Sequence, residues 1–336
     1  MSVADCEVRV LNGGVSFKVK AGDSILDAAL AQGIPLPHQC RGASCGECKS
    51  RVVSGRVDHG WSLGLAISSE EMARGLCLPC QAKPLSELVE IETLKPMPAR
   101  PASQVSATVV ANVRVTPRVA RLMLAPDHAL PYEAGSYGEL ALPGVHPNRV
   151  YSFTCPPRAD GLLEFFVALH PQGKASGYIH AELRVGDRIE VQAPFGSCRM
   201  PPGKGPVIGL AGGTGLAPVL AILEESLETG SQDKHLLVFS VREDAEVFAL
   251  ERLESLARRF TEFFSYALVV TDAPSRHCRK QQFVPQWLYE NIAGLAGHRA
   301  VIGGSPGFVE ACSRACHELG IAPSAIASDS FNPQVP

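Results

Sequence analysis

A set of four cysteines constrains this sequence more than any other feature. Three of them follow the spacing Cys-x4-Cys-x2-Cys, and a fourth comes from a later loop. This is the plant-type spacing for a [2Fe-2S] cluster, and it differs from the run that binds a [4Fe-4S] cluster. Gly42 and Gly46 fit this interpretation, because they accept positive φ angles and let backbone N–H groups approach sulfur. The predicted ligands of this one-electron centre are Cys40, Cys45 and Cys48, with Cys77 or Cys80 as the fourth.

The same cysteines leave two alternatives open. Cys45-x2-Cys48 and Cys77-x2-Cys80 also form two Cys-x2-Cys knuckles of the kind that bind zinc. Their separation exceeds that of a usual zinc ribbon, and Cys40 would then have no role. The residues therefore favour iron and sulfur, whereas the pattern alone allows either Cys77 or Cys80 as the fourth ligand.

Size, charge and the other cysteines bound the class of protein. A chain of 336 residues is long enough for two or three domains with separate cores. A net charge of -3 without a long basic run gives no reason to expect nucleic acid or a membrane surface as a partner. The seven other cysteines show no disulfide framework, and residues 1–10 lack the layout of a signal peptide. These features predict a cytoplasmic protein.

The uncharged stretch at residues 205–223 has nearly the length of a membrane span. It contains five glycines and two prolines, placed where a strand would turn into a helix. We therefore predict a buried strand, loop and helix there.

The first 95 residues follow a recognisable order of elements. Two alternating segments flank Asn12-Gly13-Gly14 and predict a hairpin, and Ser24 is placed as the N-cap of a helix. After the cysteine loop we expect a strand at 50–53, a short helix that begins at Ser68 or Ser69, and a strand at 88–92. This order resembles a plant-type ferredoxin, a β-grasp fold. In that family a glutamine often follows the last ligand, so Gln81 implies Cys80 as the fourth ligand.

The composition of the rest of the chain changes along its length, and the changes mark the predicted domain boundaries. Three prolines at 95–103 indicate a semi-rigid linker, and the short β-rich runs that follow predict an antiparallel barrel. After residue 203 strands alternate with helices, which predicts a parallel sheet of Rossmann-like type. The predicted domains are a ferredoxin domain at 1–95, a linker at 96–103, a flavin-binding barrel at 104–202 and a nicotinamide-nucleotide domain at 203–336.

The segment Arg149-Val150-Tyr151-Ser152 is weak evidence alone, since a strand can carry these residues on its surface. It precedes Gly173-Lys174-Ala175-Ser176, then Pro194-Phe195-Gly196-Ser197 and a nucleotide fold. This series resembles the flavin domain of the ferredoxin-NADP reductase superfamily. The resemblance implies that Arg149 pairs with the pyrophosphate of FAD, and that the catalytic residues Tyr151 and Ser152 contact the flavin ring.

By the same resemblance, Gly173, Lys174 and Ser176 would complete the pyrophosphate loop. The chain departs from its relatives at Ala168, where they usually carry a basic residue. A positive side chain suits a phosphate, so we expect Lys174 to compensate.

A glycine-rich turn follows the apolar strand of the last domain. Glycines there allow the backbone to approach a pyrophosphate at a helix N-terminus. The turn departs from the full Gly-x-Gly-x-x-Gly fingerprint, but it resembles the nicotinamide-binding turn of the superfamily. Its predicted cofactor-binding residues are Gly212, Gly213, Thr214, Gly215 and Pro218.

The end of the second strand of that domain bears on the choice of nucleotide. Arg242 suits the 2′-phosphate of NADPH, whereas Glu243, Asp244 and Glu246 would repel it and suit a ribose hydroxyl. We predict NADH, with NADPH as the alternative. A solvated charged turn that reads neither nucleotide is the structural alternative.

Two segments near the end resemble the nicotinamide and flavin contacts of the superfamily. Gly303-Gly304-Ser305-Pro306 stands where relatives have Cys-Gly-x-Pro, so Gly303 replaces a cysteine and Gly304 is a predicted cofactor contact. Phe331 matches a C-terminal aromatic that covers the flavin. Cys312 and Cys316 lie one helical turn apart and could be drawn as a metal site, but a half-buried helix face is the better interpretation.

Electron counting joins the three predicted modules. Nicotinamide gives two electrons, a [2Fe-2S] centre accepts one, and a flavin can exchange either number. The domain order resembles the reductase component of multicomponent bacterial oxygenases, especially those of aromatic-ring-hydroxylating dioxygenases. The resemblance implies FAD, NADH and a terminal oxygenase or intermediate ferredoxin as acceptor. The alternatives are the reductase of a di-iron monooxygenase or of a deoxysugar dehydrase, and outside enzymes a zinc-and-nucleotide-binding regulator.

Overall fold

The chain folds into two compact units. The computed structural model describes residues 5–60, 62, 66–97, 102–272, 274–277 and 280–331. The first unit comprises the described residues up to 102 together with 194–197, and the second comprises the described residues of 103–193 and 198–331. Among the residues described, no helix is long and apolar enough to span a membrane.

The first unit is built on a five-stranded mixed sheet of the order β2-β1-β7-β3-β5. Its first two strands form the predicted antiparallel hairpin, and β1 also pairs with β7 in parallel. A separate two-stranded ladder joins β4 to β6. The elements are β1 Cys6–Val10, β2 Val15–Val19, α1 Ile25–Ala31, β3 Ser50–Ser54, β4 Val57–Asp58, α2 Ser69–Ala73, β5 Leu76–Cys77, β6 Lys83–Pro84 and β7 Leu88–Thr93.

Local capping starts both helices of this unit. The Ser24 hydroxyl accepts a hydrogen bond from the Asp27 amide at 3.0 Å, and α1 buries Ile25 and Leu26 against the sheet. At α2, Ser68 and Glu71 form a reciprocal capping box. Of the two starts predicted for this helix, the structure therefore uses Ser68 as the N-cap.

The second unit begins with a six-stranded antiparallel sheet of the order β11-β10-β13-β8-β9-β12. A bridge between Phe153 and Phe165 links its two outer strands, so the sheet closes into the predicted barrel. The two rings also pack against each other in the barrel core. The elements are β8 Ser103–Arg114, β9 Val119–Pro126, β10 Tyr137–Ala141, β11 Arg149–Ser152, β12 Leu163–Ala168, α3 Lys174–Ala181 and β13 Arg188–Phe195.

A parallel five-stranded sheet of the order β16-β15-β14-β17-β18 completes this unit. Its central strands are almost fully buried and are covered by helices on both faces, as parallel sheets require. The elements are β14 Val207–Gly212, α4 Leu216–Glu228, β15 His235–Val241, α5 Leu250–Arg259, β16 Phe264–Val270, α6 Val284–Asn291, β17 Arg299–Gly304, α7 Pro306–Glu318 and β18 Ile326–Ser330.

The predicted fold class is confirmed, with differences in detail. The alternation of strands and helices after residue 203 predicts a helix over 248–260, but α5 begins only at Leu250, because Ala249 is left-handed with φ 57°. Helices α3 and α6 and strand β18 were not predicted. The predicted linker overlaps residues 98–101, which lie outside the described residues, and the boundary after residue 202 stays a prediction.

Candidate functional site

The cysteine loop uses backbone conformations that turn its amides inward. Arg41, Ala43 and Gly46 are left-handed, with φ of 54°, 59° and 74°. Such conformations cost free energy in a non-glycine residue and persist where the surroundings enforce them. The amides of Gly42, Ser44 and Cys45 then point at Cys40 Sγ, at 3.4, 3.3 and 3.4 Å.

The four predicted ligand thiols form two hydrogen-bonded pairs, Cys40 with Cys45 and Cys48 with Cys80. A hydrogen bond from Cys45 lowers the pKa of Cys40, and one from Cys48 lowers the pKa of Cys80. Within the described part of the chain, no three His, Cys, Asp or Glu side chains surround a point where one ion could bind. A [2Fe-2S] cluster needs two thiolates at each of two irons, so the pairs and the amides aimed at sulfur fit that group.

Cys77 has a different environment from these four. It lies in β5 opposite Ser50 with no exposed surface, and burial raises the pKa of its thiol to about 12. The side-chain amide of Gln81 instead donates to the Arg41 carbonyl at 3.1 Å, which ties the Cys80 loop to the cysteine loop. Cys80 as the fourth ligand stays a prediction, supported by this contact.

The predicted flavin contacts lie on β11 at the edge of the barrel sheet. Tyr151 pairs with Gly138 of β10 and Ser152 pairs with Tyr137. The Tyr151 ring is half-buried, and burial raises the pKa of its phenol, so it stays neutral near pH 7. Arg149 is half-buried at the start of the strand and donates to the Pro147 carbonyl. Because a flat phenol stands beside a guanidinium, the strand fits a flavin nucleotide.

The predicted pyrophosphate loop is the start of α3. Ser176 Oγ donates to the Gly173 carbonyl at 3.2 Å and accepts from the His170 amide at 3.0 Å, so this hydroxyl shapes the turn. A Cβ at Gly173 would lie only 2.9 Å from the His170 Cβ. Lys174 is the first residue of the helix, and Ala168 is exposed at the end of β12. A helix start with a lysine beside it is suited to an anion.

The glycine-rich turn lies between β14 and α4. It forms one turn of 3-10 helix over Gly213–Gly215, with Pro218 in the first turn of α4 and Thr214 at its centre. A Cβ at Gly215 would overlap the backbone of Gly303 and Gly304, and a Cβ at Gly303 would overlap the Gly215 carbonyl. The contact of these two backbones leaves no room for a Cβ at position 303, which explains the glycine there.

A cavity of 620 Å³ opens at the carboxyl ends of the parallel strands. Gly212 and Gly213 line it, together with Ser305, whose hydroxyl accepts the Phe308 amide at 3.3 Å as the N-cap of α7. Phe283 and Phe308 add aromatic surface. Ligands of open parallel sheets bind at this edge, so the volume and its lining fit a dinucleotide.

A buried hydrogen bond joins the flavin strand to the last strand of the parallel sheet. Ser152 Oγ donates to Asp329 Oδ2 at 3.0 Å, and both side chains are less than a tenth exposed. Just beyond, the Phe331 amide donates to the Gly304 carbonyl at 2.8 Å. The predicted residues Ser152, Gly304 and Phe331 are thereby brought together. Asp329 was missed as a site residue; its only sequence signal is an acid two positions before the C-terminal aromatic.

Two acidic residues of the charged turn after β15, Asp244 and Glu246, have different partners. Arg242 Nη2 lies 2.6 Å from Glu246 Oε1, and both residues line the cavity. Burial raises the pKa of Glu246, but the hydrogen bond and charge of Arg242 outweigh it and lower the pKa overall. Asp244 instead accepts from the Ser275 hydroxyl and the Arg276 amide. Of the three acids in this turn, Glu246 is the one that lines the cavity.

Three family descriptions match consecutive parts of the chain. The 2Fe-2S iron-sulfur cluster binding domain matches residues 8–85, the oxidoreductase FAD-binding domain residues 106–200 and the oxidoreductase NAD-binding domain residues 210–314. The chain therefore carries domains for a [2Fe-2S] cluster, FAD and NAD, as predicted from its motifs.

Similar proteins match over nearly the whole length. The xylene/toluene monooxygenase electron transfer component XylA of Pseudomonas putida is 30% identical over 96% of this chain and 93% of its own. The reductase component of the naphthalene 1,2-dioxygenase/salicylate 5-hydroxylase systems of a Ralstonia species is 31% identical, over 94% and 96%. The crystal structure of the Amycolatopsis cytochrome P450 reductase GcoB superposes with a TM-score of 0.84 at 32% identity, over 98% and 100%.

The first prediction concerns the fourth thiol ligand. Cys80→Ser should abolish the visible absorbance and bound iron of the cluster, because serine is a poor replacement for a thiolate ligand. The control is Cys77→Ser, which should keep both signals and lower only the unfolding temperature. Loss of iron in Cys77→Ser with normal iron in Cys80→Ser would show that the two roles are reversed.

The second prediction concerns the contact of the two glycine backbones. Gly303→Cys should destabilise the fold by about 1–3 kcal/mol, because overpacking must push the two loops apart. It should also weaken binding of the nucleotide, and thermal unfolding with NAD titration measures both effects. Gly294→Ala is the control, since a Cβ there is in ordinary contact with the Leu319 carbonyl at 3.9 Å and Gly294 does not line the cavity. Unchanged stability and affinity in Gly303→Cys would contradict the proposed crowding.

Proposed function

Since this chain belongs to the iron–sulfur flavoprotein reductases of the ferredoxin-NADP reductase superfamily, we propose that it transfers electrons from NADH through FAD and a [2Fe-2S] cluster to a separate oxygenase component. The hydrogen bond between Ser152 and Asp329 carries this proposal. It holds the flavin strand against the strand ends at which a nicotinamide nucleotide binds, so the two rings would meet there.

The side chains around this hydrogen bond have separate tasks. When bound, FAD accepts a hydride from NADH and passes single electrons to the iron–sulfur centre. Tyr151 offers a flat apolar surface for the flavin ring, and Arg149 offers a guanidinium for its pyrophosphate. The Ser152 hydroxyl, oriented by Asp329, has its proton directed at the carboxylate, which leaves its oxygen lone pairs to accept a hydrogen bond.

Burial at this point protects the transfer. Ser152 is 6% and Asp329 8% exposed, so water has little access to the place where the strands meet. Phe331 follows directly, held by its amide on Gly304. A dry, pre-arranged contact favours hydride transfer over side reactions that need access from solvent.

The acceptor proposed is the oxygenase of an aromatic-compound system, reached directly or through an intermediate ferredoxin. Relatives serve both kinds of oxygenase by name: the anthranilate 1,2-dioxygenase electron transfer component of Acinetobacter baylyi, at 28% identity, and the phenol 2-monooxygenase reductase component DmpP of a Pseudomonas species, at 34%. A ring-hydroxylating dioxygenase is our first choice, and a di-iron monooxygenase is the alternative. Reconstituting the reductase with each kind of oxygenase and measuring product per NADH consumed distinguishes them.

The third prediction is a preference for NADH that depends on Glu246. In the wild-type protein Arg242 is engaged by Glu246, and the acid repels a 2′-phosphate. Glu246→Gln should release Arg242 and raise kcat/KM for NADPH about tenfold, which corresponds to about 1.4 kcal/mol. Glu243→Gln, an exposed neighbour in the same turn, is the control and should change little.

Steady-state rates with both nucleotides decide this point. A wild-type protein with a tenfold higher kcat/KM for NADPH than for NADH would contradict the proposed preference. It would identify Arg242 as the residue that selects the nucleotide.

The fourth prediction separates the flavin from the cluster. Cys48→Ser should keep FAD and still oxidise NADH with ferricyanide, because a small oxidant can take electrons at the flavin. The same variant should lose reduction of cytochrome c and of the oxygenase, since the cluster is the one-electron exit that the sequence supplies. The ratio of the ferricyanide rate to the cytochrome c rate is the measurement. An unchanged ratio would remove the cluster from the electron path.

A further inference from the structure

The segment that starts α5 joins the parallel-sheet part of the second unit to its barrel. Phe248 packs edge-on against Phe166 of β12, with ring centroids 4.9 Å apart, and against Phe239 of β15 at 5.3 Å. Ala249, which follows, is left-handed at φ 57°. An alanine in that conformation is strained and needs support from its surroundings. The apolar contact of Phe248 is therefore accompanied by a sharp turn directly before the helix.

Arg252 makes an ionic contact from the first turn of the same helix. Its Nη1 donates to Glu164 Oε1 of the barrel at 3.2 Å, and its Nη2 donates to Glu224 of α4. The Glu164 side chain is 3% exposed and that of Glu224 11%. Arg121 of β9 contacts the other Glu164 oxygen at 2.7 Å. One guanidinium thus joins a carboxylate of the barrel to one of the parallel-sheet part.

The Glu164 carboxylate and the Arg252 guanidinium remain charged in this arrangement. Burial raises the pKa of Glu164, but the Thr154 hydrogen bond and the charges of Arg252 and Arg121 outweigh it, so its pKa is lowered overall. Burial would lower the pKa of Arg252, but the charge of Glu224 keeps it raised. Removing the guanidinium would leave two poorly hydrated carboxylates without their shared counter-charge.

Glu164 also connects this ionic contact to the flavin strand. Its Oε1 accepts the Thr154 hydroxyl at 2.6 Å, and its carbonyl accepts the Thr154 amide at 3.0 Å. Thr154 lies two residues after Ser152, which holds Asp329 of β18. Residues 152–154 are thereby attached to the parallel-sheet part on two sides, through Asp329 and through Glu164 with Arg252.

A cleft of 1050 Å³ lies beside this network and is lined by residues of both parts. Cys155 and Pro156 form part of its barrel wall, and Val247 and Leu250 part of the opposite wall. Where this space separates the two walls, close packing cannot hold them in place. Their mutual position there depends on the contacts at its edge, among them the ionic contact of Arg252 with Glu164 and Glu224.

We propose that Arg252 is a positioning residue for hydride transfer, which sets the distance at which a bound nicotinamide meets the flavin strand by joining Glu164 of the barrel to Glu224 of the parallel-sheet part. This proposal rests on the proposed function. Arg252 touches neither reacting ring; it acts through Glu164 and Thr154. A displacement of about 1 Å at a transfer site can cost a factor of about a hundred in rate.

The test compares Arg252→Met with Arg259→Met in the full FAD-loaded chain. Arg259 lies on the same helix and pairs with Glu228 of α4 at 3.1 Å, so its loss removes an ion pair without touching the barrel. Rapid mixing with NADH gives the limiting rate of flavin reduction per bound flavin and the apparent Kd for NADH. We expect Arg252→Met to lower the limiting rate about tenfold or more with Kd changed less than twofold, and Arg259→Met to match the wild type.

A second variant and a binding measurement without turnover distinguish loss of positioning from loss of the fold. Glu164→Gln keeps the shape of the side chain and an acceptor for Thr154, and it should lower the limiting rate several-fold. ADP-ribose lacks the nicotinamide ring, so its titration tests the cavity of the parallel-sheet part alone and should give wild-type affinity in Arg252→Met. The double variant should be no slower than Arg252→Met alone, because the two residues act through one contact.

The outcomes separate the two claims. If Arg252→Met loses stability and flavin while the rate per bound flavin stays at the wild-type value, Arg252 is merely structural and the positioning proposal is wrong. Equal losses in Arg259→Met would overturn it as well, since that variant leaves the barrel contact intact. If the wild-type protein binds FAD but NADH fails to reduce it, the proposed function itself fails, and the role of Arg252 with it.

Discussion

The hydrogen bond between Ser152 and Asp329 is the contact on which the second unit depends. It joins the edge strand of an antiparallel barrel to the edge strand of a parallel sheet, 177 residues apart in the sequence. Because the acceptor is a carboxylate and both groups are buried, the bond is stronger than one between neutral exposed partners, at about 1.5–3 kcal/mol net. Together with the apolar cluster in which Val119 and Phe166 of the barrel pack with residues of α4 and β15, it fixes the relation of the two folds at the place where their cofactors must meet.

The same region combines polar and apolar contacts for different purposes. Phe248 contributes burial, which is favourable but weakly directional. The contacts of Arg252 with Glu164 and Glu224 contribute less net stability, since desolvation opposes the attraction between charges. Their geometry is far more specific, because a planar guanidinium accepts carboxylates only at certain angles. This difference explains how a charged network beside an open cleft can define position.

The cysteine loop follows another logic, in which the backbone supplies the specificity. Left-handed residues at Arg41 and Ala43 carry strain that an ordinary surface loop would avoid. In return, three amides point at Cys40 and one at Cys45. Amides aimed at sulfur stabilise negative charge there, which is the usual means by which a protein adjusts the potential of a cluster.

The sequence by itself determined the features that depend on neighbouring residues or on the spacing of a motif. The hairpin around Asn12, the N-cap at Ser24 and the glycine turn at Gly213 each depend on contacts within a few residues, so their chemistry can be read directly. The cysteine spacing predicted the [2Fe-2S] cluster, and the order of the motifs predicted the family.

Only the tertiary structure determined which distant residues contact one another. Nothing near Asp329 in the sequence points to Ser152, and nothing near Arg252 points to Glu164. The sequence alone gives no reason for glycine at position 303, whereas the structure shows that the Gly215 carbonyl occupies the space that a Cβ there would need. Glu246 and Asp244 are alike in sequence, but one faces the cavity and the other a loop. These relations join distant segments, and packing sets them through long-range contacts that no local pattern encodes.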